Sequence, residues 1–345
     1  MIAYTIRRLF AGVILLLVMS FVVILLFFAS PVDPVSLSCG KNCSPALMAE
    51  TRKSLGYPEQ DAPLHEKAFG QWGDFAKGLV VGREYPADPE LRAAAPQLVT
   101  ECDAPCFGYS ALNAKTVNEQ LWAGLPVSMS LALAAVIIWL VVGIALGILA
   151  AITKGSIIDR GAVGASLVLY AFPTFAIGMF LLQFVSIEWG WWPHRDYVSI
   201  AEGGVGQWLL GLVLPGATLA AVYMAAYVRM TRAYVLESMS EDYVRTAKAK
   251  GLEPRKVLFK HTFRAALTPL VTMTGIDFAA LLGGAIITET VFNYNGLGKL
   301  AVEANRNYDL PTIVGLVMLL ATFVVVANVI VDLLYAVIDP RVRLG

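Results

Sequence analysis

In a chain of 345 residues, 57% hydrophobic and only 15% charged, with mean hydropathy +0.66, a soluble globular domain is excluded and an integral membrane protein is implied. Basic and acidic residues both number 26, so the zero net charge offers no argument for a nucleic-acid partner.

Six apolar runs reach the roughly 20 residues that a helix needs to cross a bilayer. They are 9–29, 125–152, 161–187, 207–230, 267–288 and 311–338, and they predict an all-α membrane fold. Arg7 and Arg8 precede the first run in the manner of a signal peptide. Its apolar length exceeds the usual roughly 7–15 residues of a cleaved signal, and the exit Phe28-Ala29-Ser30-Pro31 has no small-x-small cleavage site. It reads as a retained anchor, giving a first segment, 1–30.

The stretch 31–124 is the one sizeable piece outside the apolar runs. It is rich in proline and acids, but Phe69, Trp72, Phe75 and Leu79 recur at helical intervals. A small, partly helical extracytoplasmic insert is expected. All four cysteines lie here, as Cys39-Gly-Lys-Asn-Cys43 and Cys102-Asp-Ala-Pro-Cys106. An oxidising location favours disulfides among Cys39, Cys43, Cys102 and Cys106. Three connectivities are open, and one linking the first pair to the second would close a loop of about 60 residues, worth roughly 4 kcal/mol on the chain-entropy estimate. A four-thiolate zinc site has the right ligand number but an unusual spacing.

The remainder, 125–345, holds five runs and a long polar loop at 231–266. Gly143 and Gly147 make a small-xxx-small pair suited to close helix approach. Pro126, Pro173, Pro215 and Pro269, with Gly283-Gly284, interrupt the runs. Orientation follows from Lys and Arg. With the N-terminus inside, short inner segments hold 15 of the 26 basic residues, whereas the two shorter outer loops hold only Arg195, Lys299 and Arg306. Both termini are therefore expected in the cytoplasm. Trp189, Trp191, Trp192 and Trp208 fall at the opposite, outer interface, where indole rings favour the headgroup level.

Asp277 lies about ten residues into the fifth run, about 15 Å deep. A carboxylate there costs at least roughly 2.5 kcal/mol and must face the bundle interior or water. It lines a pathway or serves as a buried hydrogen-bonded group; sequence leaves both open. For Glu289 and Asp332, nearer the interfaces, the structural role is favoured. No phosphate loop, HExxH or GxSxG occurs, and His65, His194 and His261 are scattered, so no nucleophile–base pair can be nominated.

Within the inner loop, Glu241-Asp242 open a helical run through Tyr243 and Ala247, and acids at that end complement the helix dipole. Gly251 makes a turn, Pro254 suits the first turn of a second helix, and Lys256, Lys260 and Arg264 give it a basic face. A loop solvated along acidic headgroups is the bland alternative. The segment EDYVRTAKAKGL, followed by His261 and Pro269, resembles the EAA loop of ABC importer permeases of the peptide branch. Tyr4-x-x-Arg7-Arg8-Leu9, Pro31-Val32-Asp33-Pro34, Glu289-Thr290-Val291-Phe292 with Gly296-Leu297-Gly298, and Asp332-Leu333-Leu334-Tyr335 with Asp339-Pro340-Arg341 are similar to that branch in the same order. Val32 stands where the family has glycine, Asn295 where proline is common, and Arg245 and Thr246 where the loop's glutamate and first alanine belong.

The resemblance implies a B-type membrane subunit of a dipeptide, oligopeptide or nickel importer, with six helices of the type I permease kind. It implies no cofactor on this chain. ATP and Mg would be used by one or two partner ABC ATPase subunits, beside a second permease subunit and an extracytoplasmic solute-binding protein. Glu241, Asp242, Tyr243, Arg245, Thr246, Ala247, Lys248, Gly251 and Leu252 would form the coupling surface for the ATPase. Two other readings stay open: a permease for a nickel chelate or other small solute, and an ion-coupled transporter or channel centred on Asp277. The latter should show an inverted repeat or several intramembrane charges. An intramembrane enzyme finds no catalytic constellation.

Overall fold

A computed structural model describes residues 2–30, 33, 35–36, 44–193 and 195–338, without the side chains of 2–5, 279–280, 282–284 and 331–338. Cys39, Cys43, His194 and the Asp339-Pro340-Arg341 ending lie outside these residues, as do the side chains of Tyr4 and Asp332. The described chain is mainly helical and divides into two compact units, 2–126 with 296–325 and 127–295 with the segment from 326.

In the first unit, α1 (Ile2–Ala29) is an unbroken helix of aliphatic and aromatic residues. α2 (Pro45–Leu55) starts where the Ser44 hydroxyl accepts from the Leu47 N–H and stops at left-handed Gly56 (φ 68°). α3 (Leu64–Val81) carries the apolar stripe seen in the sequence. Phe75 on that stripe is buried with Ile24 of α1 and with Leu310, Val314 and Met318, and Trp72 and Leu79 pack onto the same cluster. The Trp72 Nε1–H reaches the Ser20 hydroxyl (3.1 Å) and the Leu17 carbonyl (3.3 Å). Leu17 is twelve residues, about 18 Å, from the end of α1. The apolar stripe of the 31–124 stretch is therefore buried against α1 together with Leu310, Val314 and Met318. Asp33 ties the start of the stretch down, accepting from Arg52 Nη2 at 2.5 Å and from the Val35 N–H.

Two short antiparallel pairs follow, β1 (Arg83–Tyr85) with β2 (Thr100–Cys102), and β3 (Tyr109–Ser110) with β4 (Lys115–Thr116). α4 (Pro89–Ala94), capped by Asp88, lies between β1 and β2. Cys102 is bonded to Cys106, with Cα atoms 5.5 Å apart. That local pairing takes both cysteines out of the long-loop connectivity considered from sequence.

The second unit is built on long helices. α5 (Val117–Ile152) starts ten residues earlier in the chain, in the first unit, and has 36 residues. Gly143 and Gly147 form the groove that receives the next long helix. A Cβ on Gly147 would stand 2.6 Å from Thr231 Cβ and 2.8 Å from the Val228 carbonyl oxygen, and one on Gly143 would stand 3.0 Å from Tyr227 Cβ. The third run is not one straight helix. α6 (Ile157–Ala171) and α7 (Thr174–Phe180), which runs on as a π-helical segment to Glu188, meet at 102°. Pro173 sits at the break, where it restricts Phe172 to an extended conformation.

α8 (Ile200–Ser240) begins in a Ser199/Glu202 capping box, kinks at Gly204 (φ 71°) and extends well past the fourth run at both ends. α9 (Asp242–Ala249) and α10 (Pro254–Lys256) form the loop; a π-helical segment, Val257–Thr262, leads into α11 (Phe263–Gly284). α12 (Ile286–Val291), α13 (Leu297–Arg306) and α14 (Leu310–Ile338) complete the chain. Among the described residues, four helices are long and apolar enough to cross a membrane, and five if the bent pair counts as one span.

Candidate functional site

The loop after α8 is a packed helical hairpin. α8 ends at Ser240, Glu241 is extended, and α9 starts at once. On α9, Val244 (0% exposed) and Ala247 (5% exposed) pack against Val257. A small residue at 247 thus serves contact inside the hairpin, not the outer surface assigned to it from sequence. Gly251 has φ 72°, a left-handed conformation that favours glycine, and its N–H donates to the Lys248 carbonyl at 3.0 Å. The outward face of α9 carries Asp242, Tyr243, Arg245, Thr246 and Lys248, all exposed, with Glu241 beside them and Leu252 beyond the turn. Arg245 and Asp242 are 3.7 Å apart, and the Thr246 hydroxyl donates to the Asp242 carbonyl at 2.8 Å. The sequence-predicted loop residues are therefore brought together, with an aromatic ring and both charges presented outward.

The loop is rooted by a charge clamp that sequence reasoning missed. Arg232 on α8 donates Nε to Asp159 Oδ1 (2.5 Å) and Nη2 to Oδ2 (2.8 Å) at the start of α6. Bidentate pairs of this kind fix orientation as well as distance. The Gly155 N–H donates to the same carboxylate at 2.9 Å, and Ser156 caps α6 by accepting from the Asp159 N–H. The usable signal was an acid opening the third run and an arginine closing the fourth, both expected at one membrane face.

Nine residues C-terminal to Thr218 on α8, Tyr227 is fully buried and donates its hydroxyl to Asp277 Oδ2 at 2.9 Å. Thr274 Oγ1 lies 3.1 Å from the same hydroxyl, and Trp139, stacked on Tyr223 at 4.6 Å, flanks it. Among the described residues no Lys, Arg or His is within ion-pair distance of Asp277. Toward the other end of the unit, Ser128 donates to the fully buried Glu289 at 2.5 Å, in keeping with a structural role.

The description "Binding-protein-dependent transport system inner membrane component" fits a family model matching residues 143–344, and a model for the N-terminal part of such membrane components matches 1–132. The chain is 34% identical over 340 residues to a probable peptide ABC transporter permease protein of Sinorhizobium fredii, covering 99% of both. It is 32% identical to the di/tripeptide transport system permease protein DppB of Pseudomonas aeruginosa, covering 91% of this chain and 90% of that one. Among solved structures, a MetNI methionine ABC transporter chain in an inward-facing conformation aligns with TM-score 0.52 at 17% identity, covering 64% of this chain and 96% of that one. That likeness speaks for the fold alone.

Proposed function

This chain belongs to the family of binding-protein-dependent transport system inner membrane components, as a permease subunit of a peptide ABC importer, and from that premise we propose how its parts act. Six helices cross the inner membrane with both termini cytoplasmic, in three parts: an anchor 1–30, an extracytoplasmic insert 31–124 and a five-helix core 125–345. The subunit works beside a second permease, one or two ABC ATPase subunits that use ATP and Mg, and an external solute-binding protein that delivers a di- or oligopeptide.

The 241–262 hairpin carries this reading. Its inner face is packed and its turn is fixed by Gly251, so it moves as one body. It is continuous with α8 on one side and runs through the π-helical segment into α11 on the other. A partner that displaces the outward residues of α9 therefore displaces two long helices that meet at Tyr227 and Asp277. Asp277 faces the peptide pathway between the permeases, and among the described residues its carboxylate has no cation within ion-pair distance. The insert contacts the binding protein through its outward charges. Deleting 36–101 would also strip Phe75 and Trp72 from α1, so charge reversal at Glu84, Asp88 and Glu90 is the cleaner probe. Unchanged affinity for the binding protein in that variant would sink the idea.

The first experiment is gentle purification of tagged protein and identification of what accompanies it. A second permease with one or two ATPases is the expected result. A homo-oligomer without ATPase would overturn the reading.

A further inference from the structure

At the root of the hairpin lies a cleft of about 600 Å³, within the range of small-molecule sites. Its walls are apolar, from Ile152 at the end of α5, Met239 near the end of α8, and Val257 and Leu258 of the π-helical segment. Lys248 and Arg255 line it as cations. Among the described residues neither has an ion-pair partner: the nearby acids are engaged elsewhere, Asp242 with Arg245 and Glu253 with Lys256.

A third feature is independent of charge. Thr262 lines the cleft, is 1% exposed, and its hydroxyl has no hydrogen-bond partner. In an α-helix a threonine donates to the carbonyl four residues back. Here that turn is wound as a π-helix, a form common at functional sites, and the hydroxyl stays unsatisfied. A buried donor without a partner is costly, which favours an oxygen-bearing ligand beside it.

Depth selects the ligand. Ile152 closes the second apolar run, and Thr262 precedes the fifth by five residues, about 8 Å along a helix. The cleft therefore sits where phosphates and glycerol esters of one leaflet lie. We propose that it binds an anionic phospholipid, with the phosphate between Lys248 and Arg255, an ester oxygen toward Thr262, and an acyl chain against Met239 and Leu258. The site shares Lys248 with the coupling surface given to the hairpin but otherwise needs only the membrane placement of α5 and α11, and lipid retention is read without transport.

The test uses the full-length chain with whatever subunits accompany it, in nanodiscs of equal parts phosphatidylglycerol and phosphatidylcholine. Native mass spectrometry after gentle release counts the retained lipid. Wild type should retain phosphatidylglycerol over phosphatidylcholine by about tenfold, as expected for two cations at a membrane surface. K248Q/R255Q should bring that ratio near one. L258W, which fills the cleft and leaves its cations, should lose retained lipid of both kinds, and T262V should lower retention about twofold. Equal retention of both lipids by wild type would overturn the proposal whether or not any variant folds. So would a photo-crosslinker at Leu258 that captures a protein subunit and no lipid.

Discussion

One helix, α8, meets one carboxylate at its root and another five residues away along its own length, and it treats them differently. At the root Arg232 answers Asp159 with a full charge and two hydrogen bonds. Five residues earlier, about 7.5 Å along the axis, Tyr227 answers Asp277 with one neutral hydroxyl. The root lies at a membrane face, where an ion pair can be set without moving both charges into hydrocarbon. Asp277 lies further along the chain of the fifth run, and among the described residues no cation is within ion-pair distance of it. The contrast is between a charge-paired contact that holds the helix and a carboxylate met only by neutral donors, the one proposed to face the pathway.

Breaking the hairpin that the root carries should have the largest effect. Gly251→Pro demands φ near −65° where the turn has 72°, and removes the N–H that donates to Lys248. Ala247→Arg forces a charge into the Val244–Val257 contact, at a local cost of at least about 2 kcal/mol. Either should reduce peptide uptake to background while membrane insertion is kept. Loss of assembly with normal transport in the surviving complexes would refute the coupling role. Next comes the clamp: Asp159→Asn keeps the shape and removes the charge, and should lower the coupling of ATP hydrolysis to uptake about fivefold. The double exchange Asp159→Arg with Arg232→Asp should recover part of it, which a solvent-exposed ornament would not.

The middle should respond in a different way. Asp277→Asn retains an oxygen for the Tyr227 hydroxyl, so assembly and thermal stability should hold while uptake falls about fivefold. Tyr227→Phe, which takes a donor from a half-buried carboxylate, should cost stability by about 1 kcal/mol and so give the opposite pattern. Equal stability loss in both variants would make Asp277 a structural group only.

Much of this was legible from residue spacing. The apolar runs gave helices at the expected places, the Phe69-Trp72-Phe75-Leu79 stripe gave α3, and Gly251 gave the turn, because each is a local pattern with one cheap solution. What spacing cannot carry is which surfaces meet. The stripe on α3 showed that it needed burial, but not that α1 would supply it. Ala247 showed that something comes close, but the close neighbour is Val257 of the same hairpin. The bend of 102° between α6 and α7 follows from Pro173, yet a proline in an apolar run is also tolerated without a bend. The Asp159–Arg232 clamp joins residues 73 apart and leaves no periodic trace.

A third carboxylate sharpens the comparison, because it shares the neutral donors of Asp277 but lies just outside a membrane run. Asp309, ahead of α14, is 5% exposed and accepts from Ser110 Oγ at 2.5 Å and Thr312 Oγ1 at 2.8 Å. Burial pushes its carboxyl above the usual carboxylate range, against the pull of those two hydroxyls. A folded-state value above the unfolded one means that the folded form binds the proton more tightly. Its stability contribution is therefore full below the unfolded value near 3.9 and is lost as pH rises through the folded one. Asp309→Asn removes the titration, so the Tm of the purified protein should become less sensitive to pH as it rises above about 4, the usual carboxylate value. An unchanged pH slope would mean that the two hydroxyls already hold the carboxylate ionised, and that neutral donors alone can keep a charge in such a site.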